Sequence, residues 1–202
     1  MKTVILTGFG PFGPYAFNPT HDSAQAFNGK VFGDRTVIGT TLPCTYDAWK
    51  ELAALMNQVT PYAVISTGLS SRVQGMRIES TFWNTMQGKY PDANGYNPQG
   101  YPISTISPSN IRSKSAHKEL LDMLKRKGIP AESSVDPDAF ICNSLGYRTS
   151  LAARTNEYDI RNMFVHIPWT SDYQEKISLE EGKIFLDIDK YHQGLELLIR
   201  NI

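Results

Sequence analysis

Cys142, His166 and Glu79 are residues whose types together suit acyl transfer: a thiol to attack a carbonyl, an imidazole to take and return a proton, and a carboxylate to orient the imidazole. Cys142 lies in Asp138-Ala-Phe-Ile-Cys-Asn-Ser-Leu-Gly146, His166 in Phe164-Val-His-Ile-Pro168, and Glu79 in Met76-Arg-Ile-Glu-Ser-Thr-Phe82. Each also has a plainer reading. A cysteine among apolar neighbours can be core filler, a histidine at a strand end can be a structural rim residue, and Glu79 can pair with Arg77 or Arg72. His21, His117 and His192 are weaker candidates, since they fall on expected helices.

The elements around these residues decide whether they can meet. A helix expected to begin at Ala139 or Phe140, capped by Asp136 or Asp138 with Pro137 between them, sets Cys142 in its first turn. Unpaired backbone N–H groups there stabilise an anion and lower a thiol pKa. His166 ends an expected strand over 163–167, stopped by Pro168. Glu79 falls in an extended segment over 76–86 and, if it points inward, requires a partner such as an imidazole N–H.

Earlier in the chain, residues 3–8 read as a buried strand and Asn18-Pro19 as the cap and first turn of a helix ending near Gly29. A strand over 36–42, a helix over 46–57 and a strand over 63–67 follow. Residues 88–101, rich in Gly, Pro and Asn, read as a long ordered loop. Beyond it come a short strand over 103–106, a helix over 113–127 closed by Gly128, and a polar edge strand over 131–134. The last 25 residues read as mostly helical, with Ile184, Ile188, Leu195, Leu198 and Ile199 on an interrupted apolar face. The alternation predicts one α/β domain spanning 1–202, with an open, mostly parallel twisted sheet and helices on both faces.

The composition narrows the function. The chain has 202 residues, 41% of them hydrophobic, and 20 basic against 20 acidic side chains. That balance leaves no electrostatic footprint for nucleic acid or an anionic membrane. The opening apolar run is too short for a signal-peptide core, so the expected location is cytoplasmic. Two cysteines without a CxxC pair suggest neither a disulfide framework nor a structural zinc site. A Cys44–Cys142 disulfide is the lesser alternative to free thiols. No metal is expected, because the histidines and cysteines show no ligand spacing.

The opening Thr7-Gly-Phe-Gly-Pro-Phe-Gly13 follows a strand, yet lacks the GxGxxG spacing of a dinucleotide loop. Phe9 and Phe12 there read better as aromatic walls for a flat apolar group.

Taken together, several stretches resemble pyroglutamyl peptidase type I, the pyrrolidone carboxyl peptidase family. They are Thr7 to Gly13 with Asn18-Pro19, Leu42-Pro43, Arg77-Ile-Glu79 with Asn84, Pro91-Asp92 with Gly95, Phe140-Ile-Cys-Asn143, and Val165-His-Ile-Pro168. The resemblance implies a cofactor-free cysteine peptidase that removes an N-terminal pyroglutamyl residue, built on an open α/β sheet and assembling as a homodimer or homotetramer. It implies Cys142 as nucleophile, His166 as base and later acid, and Glu79 as the orienting group. Phe9 and Phe12 would flank the lactam, Asn18 would organise the loop and its ligand, and Thr45, Phe140 and Ile141 would line the pocket.

Departures from the family pattern fall at the expected binding site. Gly68-Leu-Ser-Ser-Arg72 replaces a Gly-Gln-Ala-Gly-Gly-Arg segment, placing Leu69 where a polar glutamine is usual. Lys89 takes the position of an arginine, keeping charge without fork geometry. Tyr90 replaces a smaller aliphatic residue, and Ser80-Thr-Phe-Trp83 follows Glu79 in place of an aliphatic stretch. The functional alternatives are an amidase for another small N-terminal acyl group and a noncatalytic binding protein that keeps the cavity.

Overall fold

The computed structural model describes residues 1–155, 158–177 and 183–202. In chain order the first half comprises β1 (Lys2–Phe9), α1 (Pro19–Phe27), β2 (Val31–Phe32), β3 (Arg35–Leu42), α2 (Ala48–Val59), β4 (Ala63–Leu69), β5 (Met76–Glu79), β6 (Thr81–Trp83), β7 (Met86–Gln87) and β8 (Gln99–Tyr101). The second half comprises β9 (Asn110–Arg112), α3 (His117–Arg126), β10 (Ala131–Ser134), α4 (Ile141–Arg154), β11 (Arg161–Ile167), β12 (Trp169–Thr170), β13 (Phe185–Leu186) and α5 (Ile188–Asn201).

Seven strands form the main sheet in the order β10-β5-β11-β4-β1-β3-β2. The β1–β3, β1–β4, β4–β11 and β5–β10 pairs are parallel, while β5–β11 and β2–β3 are antiparallel. The sheet is therefore mixed and mostly parallel, with helices covering both faces.

The period-2 alternation of strand side chains sorts the two faces. Val4, Leu6, Ile65, Met163 and Val165 share one buried cluster with Leu120 and Leu124 of α3 and Leu195 and Leu198 of α5. Ile5, Val64 and Phe164 belong to the opposite cluster, with Leu52 and Met56 of α2 and Leu145 and Tyr147 of α4. The second face is the one that carries the site.

Asn18 caps α1 as its sequence suggests. Its Oδ1 accepts from Thr20 N at 3.1 Å, and Nδ2 reaches back to the Gly10 carbonyl at 3.1 Å, tying the 9–18 loop to the helix. Gly8 allows the helix to lie against β1, because a Cβ there would stand 1.9 Å from the Thr20 carbonyl oxygen.

Several boundaries differ from the sequence reading. The helix holding Cys142 begins at Ile141, and neither expected aspartate caps it. Asp138 instead pairs with Arg72, while Asp136 Oδ1 accepts the Asp138 N–H at 3.2 Å. Helix α2 starts at Ala48, since the Tyr46 N–H donates to Asp92 Oδ2 at 3.0 Å. Helix α3 starts at His117 because the Ser113 N–H is taken by the Ser80 carbonyl at 3.2 Å.

The expected strand over 103–106 does not form. Asn84 Oδ1 accepts the Ser104 N–H at 2.9 Å, and Asn84 Nδ2 donates to the Ser104 carbonyl at 2.7 Å, so a side chain takes the backbone groups that a ladder would use. Of the expected C-terminal helix, 178–182 lie outside the described residues; Ile184 precedes β13, and α5 begins at Ile188.

Candidate active site

Glu79 and His166 meet across the antiparallel β5–β11 pair. Glu79 stands opposite Phe164, and His166 is two residues further along the same face. This diagonal placement brings His166 Nδ1 to 2.8 Å from Glu79 Oε1, with Glu79 wholly buried. The carboxylate accepts, so Nδ1 carries the proton and Nε2 is left as the basic nitrogen. Arg77 and Arg72, the rival partners for Glu79, pair with Glu132 and Asp138. Glu79 Oε2 has no hydrogen-bond partner among the described residues, so the bond to His166 is the side-chain hydrogen bond the carboxylate makes there.

Cys142 approaches the same strand edge from above. Gly68 sits beside His166 in the parallel β4–β11 register, and a Cβ on Gly68 would stand 3.0 Å from Cys142 Sγ. The sulfur thus lies over the strand position next to His166, in space that any side chain at 68 would narrow. Cys142 is the second residue of α4, and no side chain caps that helix. Its first-turn N–H groups are oriented to receive negative charge.

The thiol itself departs from the sequence expectation of a lowered pKa. Burial pushes Cys142 above the ordinary cysteine range, and the nearby Cys44, Glu79 and Asp138 add to the rise. Desolvation of a thiolate outweighs the helix start. The raised pKa holds Cys142 toward the neutral thiol, so attack by its sulfur would require a base to take the proton.

Asn143 is a residue whose role the sequence reading did not assign. Wholly buried, it accepts the Trp83 N–H at 2.7 Å and donates to the Trp83 and Thr85 carbonyls at 2.8 and 2.9 Å. The bonds clamp the start of α4 to β6, and hence to the segment carrying Glu79. The available signal was its place immediately after Cys142.

A cleft of about 1060 Å³ opens in front of Cys142. Phe9 borders it from the end of β1, Phe12 and Asn18 from the β1–α1 loop, and Phe140 and Ile141 from the start of α4. The Phe12 and Phe140 rings lie 5.5 Å apart. Leu69 and Tyr90 also border the cleft, while Thr45 and Lys89 do not. Thr45 is buried, and the Lys89 ammonium lies 5.2 Å from the Tyr90 ring.

Asp92, also unassigned in the sequence reading, holds the long 88–101 loop in place. Its carboxylate accepts backbone N–H groups of Tyr46, Asn94 and Tyr96 at 2.9–3.0 Å. Cys44 borders the same cleft and is a free thiol like Cys142, pushed up to about 12 by burial.

The other histidines stay away from the site. His21 contacts Thr41, His192 contacts Ser23, and His117 contacts Ser113 and Ser115. Among the described residues there is no group of three or more His, Cys, Asp or Glu side chains that could hold a metal ion. Nor is any described helix long and apolar enough to cross a membrane.

Known proteins share both the sequence and this architecture. The family model for pyroglutamyl peptidase matches residues 2–200. A pyrrolidone-carboxylate peptidase of Thermococcus litoralis is 30% identical over 173 residues, covering 85% of this chain and 79% of its own length. One from Bacillus cereus strain G9842 is 28% identical over 200 residues, covering 98% and 92%. The crystal structure of Bacillus amyloliquefaciens pyroglutamyl peptidase I superposes with a TM-score of 0.93 at 26% identity, over 100% of this chain and 96% of that one. Pyrrolidone carboxyl peptidase from Thermococcus litoralis gives a TM-score of 0.93 at 27% identity, covering 99% and 92%. With its fold shared and the family model matched almost end to end, the chain belongs to the pyroglutamyl peptidase family.

Proposed function

We propose that this protein is a cysteine peptidase that hydrolyses the amide bond after an N-terminal pyroglutamyl residue of peptides. The observation that carries the reading is the buried His166–Glu79 bond, on the sheet face where α4 brings Cys142 against Gly68. In this mechanism Cys142 Sγ attacks the pyroglutamyl carbonyl carbon while His166 Nε2 takes the thiol proton. The oxyanion lies against the first-turn N–H groups of α4. Collapse breaks the C–N bond, and the imidazolium returns its proton to the departing amine. Water, deprotonated by the same nitrogen, then cleaves the thioester and releases pyroglutamate. Glu79 stabilises the imidazolium of each half-reaction.

Phe9, Phe12, Phe140 and Ile141 supply an apolar slot for the lactam, with Asn18 holding the loop that carries Phe12. The chain acts as one α/β domain in this reading, and its two free thiols fit a reducing cytoplasm.

Leu69 in the cleft wall favours a second reading, in which the pocket accepts other small N-terminal acyl groups. Amide substrates bearing pyroglutamyl, prolyl, glutaminyl and acetyl groups, compared at equal concentration, separate the two. Pyroglutamyl should be cleaved fastest, with no turnover by Cys142→Ala. Faster cleavage of another group would support the second reading, and undiminished turnover by Cys142→Ala would overturn both.

A further inference from the structure

Phe140 joins the cleft to the helix that carries Cys142. Its ring borders the cleft, and its backbone immediately precedes α4, two residues before the thiol. Beside β7 the main chain is fixed, because the Gln87 N–H donates to the Ala139 carbonyl at 2.8 Å. The ring instead turns on its own side-chain torsions, so its place is set by what packs around it.

Gly88 and Tyr46, neither of which borders the cleft, both press on that ring. A Cβ on Gly88 would stand 2.6 Å from Phe140 Cδ2, 2.7 Å from Cε2 and 2.8 Å from the Tyr90 carbonyl oxygen. The backbone at 88 lies outside the left-handed region, so an alanine there is resisted by these contacts alone. With the Tyr90 carbonyl closing one side, the ring is the part that must give. Tyr46 is buried and meets Phe140 edge-on, with centroids 5.8 Å apart and planes at 89°. Tyr46 is itself held by its N–H bond to Asp92 and by the Tyr96 ring at 5.7 Å, while its hydroxyl has no hydrogen-bond partner among the described residues. The ring of Tyr46, rather than its hydroxyl, supplies the support.

We propose that Gly88 and Tyr46 are positioning residues for substrate recognition: Gly88 leaves the room, and Tyr46 gives the support, that hold the Phe140 ring where the slot fits a five-membered lactam. This deepens the peptidase reading above, on which it rests, by assigning the fit of the acyl slot to two residues outside its lining. Alanine at 88 displaces the ring and weakens binding more than chemistry, because the Ala139 carbonyl and the Asn143 bonds still hold the start of α4. Loss of the Tyr46 ring lets Phe140 yield, so that the slot admits a larger lactam.

The test compares pyroglutamyl-alanine amide with its homologue bearing a six-membered lactam, using the unmodified chain, Gly88→Ala, Tyr46→Leu and Tyr46→Phe. The unmodified chain should prefer the smaller ring by about tenfold or more in kcat/KM, since one methylene is what separates the two. Gly88→Ala should raise KM for the pyroglutamyl substrate about tenfold while kcat stays within about threefold. Tyr46→Leu should bring the ring-size preference toward one, and Tyr46→Phe, which keeps the ring, should retain it. KM and a ratio measured within one preparation are independent of its active fraction, so partial misfolding of a variant does not mimic either result. An unchanged KM in Gly88→Ala, or a ring-size preference that survives Tyr46→Leu or is lost equally in Tyr46→Phe, would overturn the positioning role. Hydrolysis of neither substrate by the unmodified chain would overturn the peptidase reading with it.

Discussion

Gly68 and Cys142 occupy each other's space: a Cβ on Gly68 would stand 3.0 Å from Cys142 Sγ and 3.0 Å from Phe164 Cζ. The bare backbone at 68 is what lets the Cys142 sulfur settle beside the strand that carries His166. Gly68→Ala should keep the fold but shift the sulfur by a few tenths of an ångström or more, lowering kcat by about tenfold to a hundredfold. Steady-state kinetics with a circular dichroism check decide it. An alanine variant with full kcat would show that the sulfur has room to spare.

Cys142→Ala should abolish hydrolysis and the acyl-enzyme burst, while Cys44→Ala keeps the burst and turns over within a few fold of the unmodified chain. Cys44 borders the cleft, but its thiol donates to the Gly10 carbonyl at 3.4 Å and is pushed up to about 12. Stopped-flow measurement of the burst amplitude separates the two sulfurs.

His166→Ala should cost on the order of 10² or more in kcat. Glu79→Gln can still accept the Nδ1 hydrogen bond through its amide oxygen but carries no charge to stabilise the imidazolium. It should lose on the order of 10² in kcat with KM little changed. Comparable losses in both kcat and KM would assign Glu79 a structural role instead.

Asn143→Ala removes three hydrogen bonds and leaves the Trp83 and Thr85 carbonyls without that partner. The cost should be about 2–4 kcal/mol of stability, accompanied by lower kcat as α4 loosens from β6. Urea unfolding gives the first quantity and kinetics the second. An unchanged unfolding midpoint would contradict the clamp.

The two raised thiols link stability to pH. Cys44 and Cys142 keep their protons in the folded chain above the ordinary value of 9.0, whereas an unfolded chain loses them there. The unfolded state then binds fewer protons, so this contribution is fully present below pH 9 and is lost as pH rises through the alkaline range. Thermal unfolding between pH 8 and 11 should show a steeper fall for the unmodified chain than for a Cys44→Ala, Cys142→Ala double variant. Parallel curves would show that burial does not perturb the thiols.

Much of the arrangement is local and was legible in the residues themselves. Short apolar runs ending in glycine mark β1 and β4, the Asn18-Pro19 pair marks the start of α1, and the run ending at Pro168 marks β11, because each signal acts within one turn or one strand. The order of Glu79, Cys142 and His166, with the motifs around them, sufficed to bring the family into view. Sequence alone left three possible partners for Glu79, since any nearby cation or imidazole satisfies a buried carboxylate equally well on paper.

Tertiary structure made the choice through strand register. The β5–β11 pairing sets Glu79 diagonal to His166, while Arg77 and Arg72 turn to Glu132 and Asp138. It also diverted both aspartates from capping α4 and gave the backbone groups of the 103–106 segment to Asn84. The thiol pKa followed the same rule. A helix start, readable along the chain, favours an anion, but desolvation depends on everything packed around the sulfur, and here it prevails. Local residue types thus determined which chemistry was available, and long-range packing decided which groups meet and in which protonation state they wait.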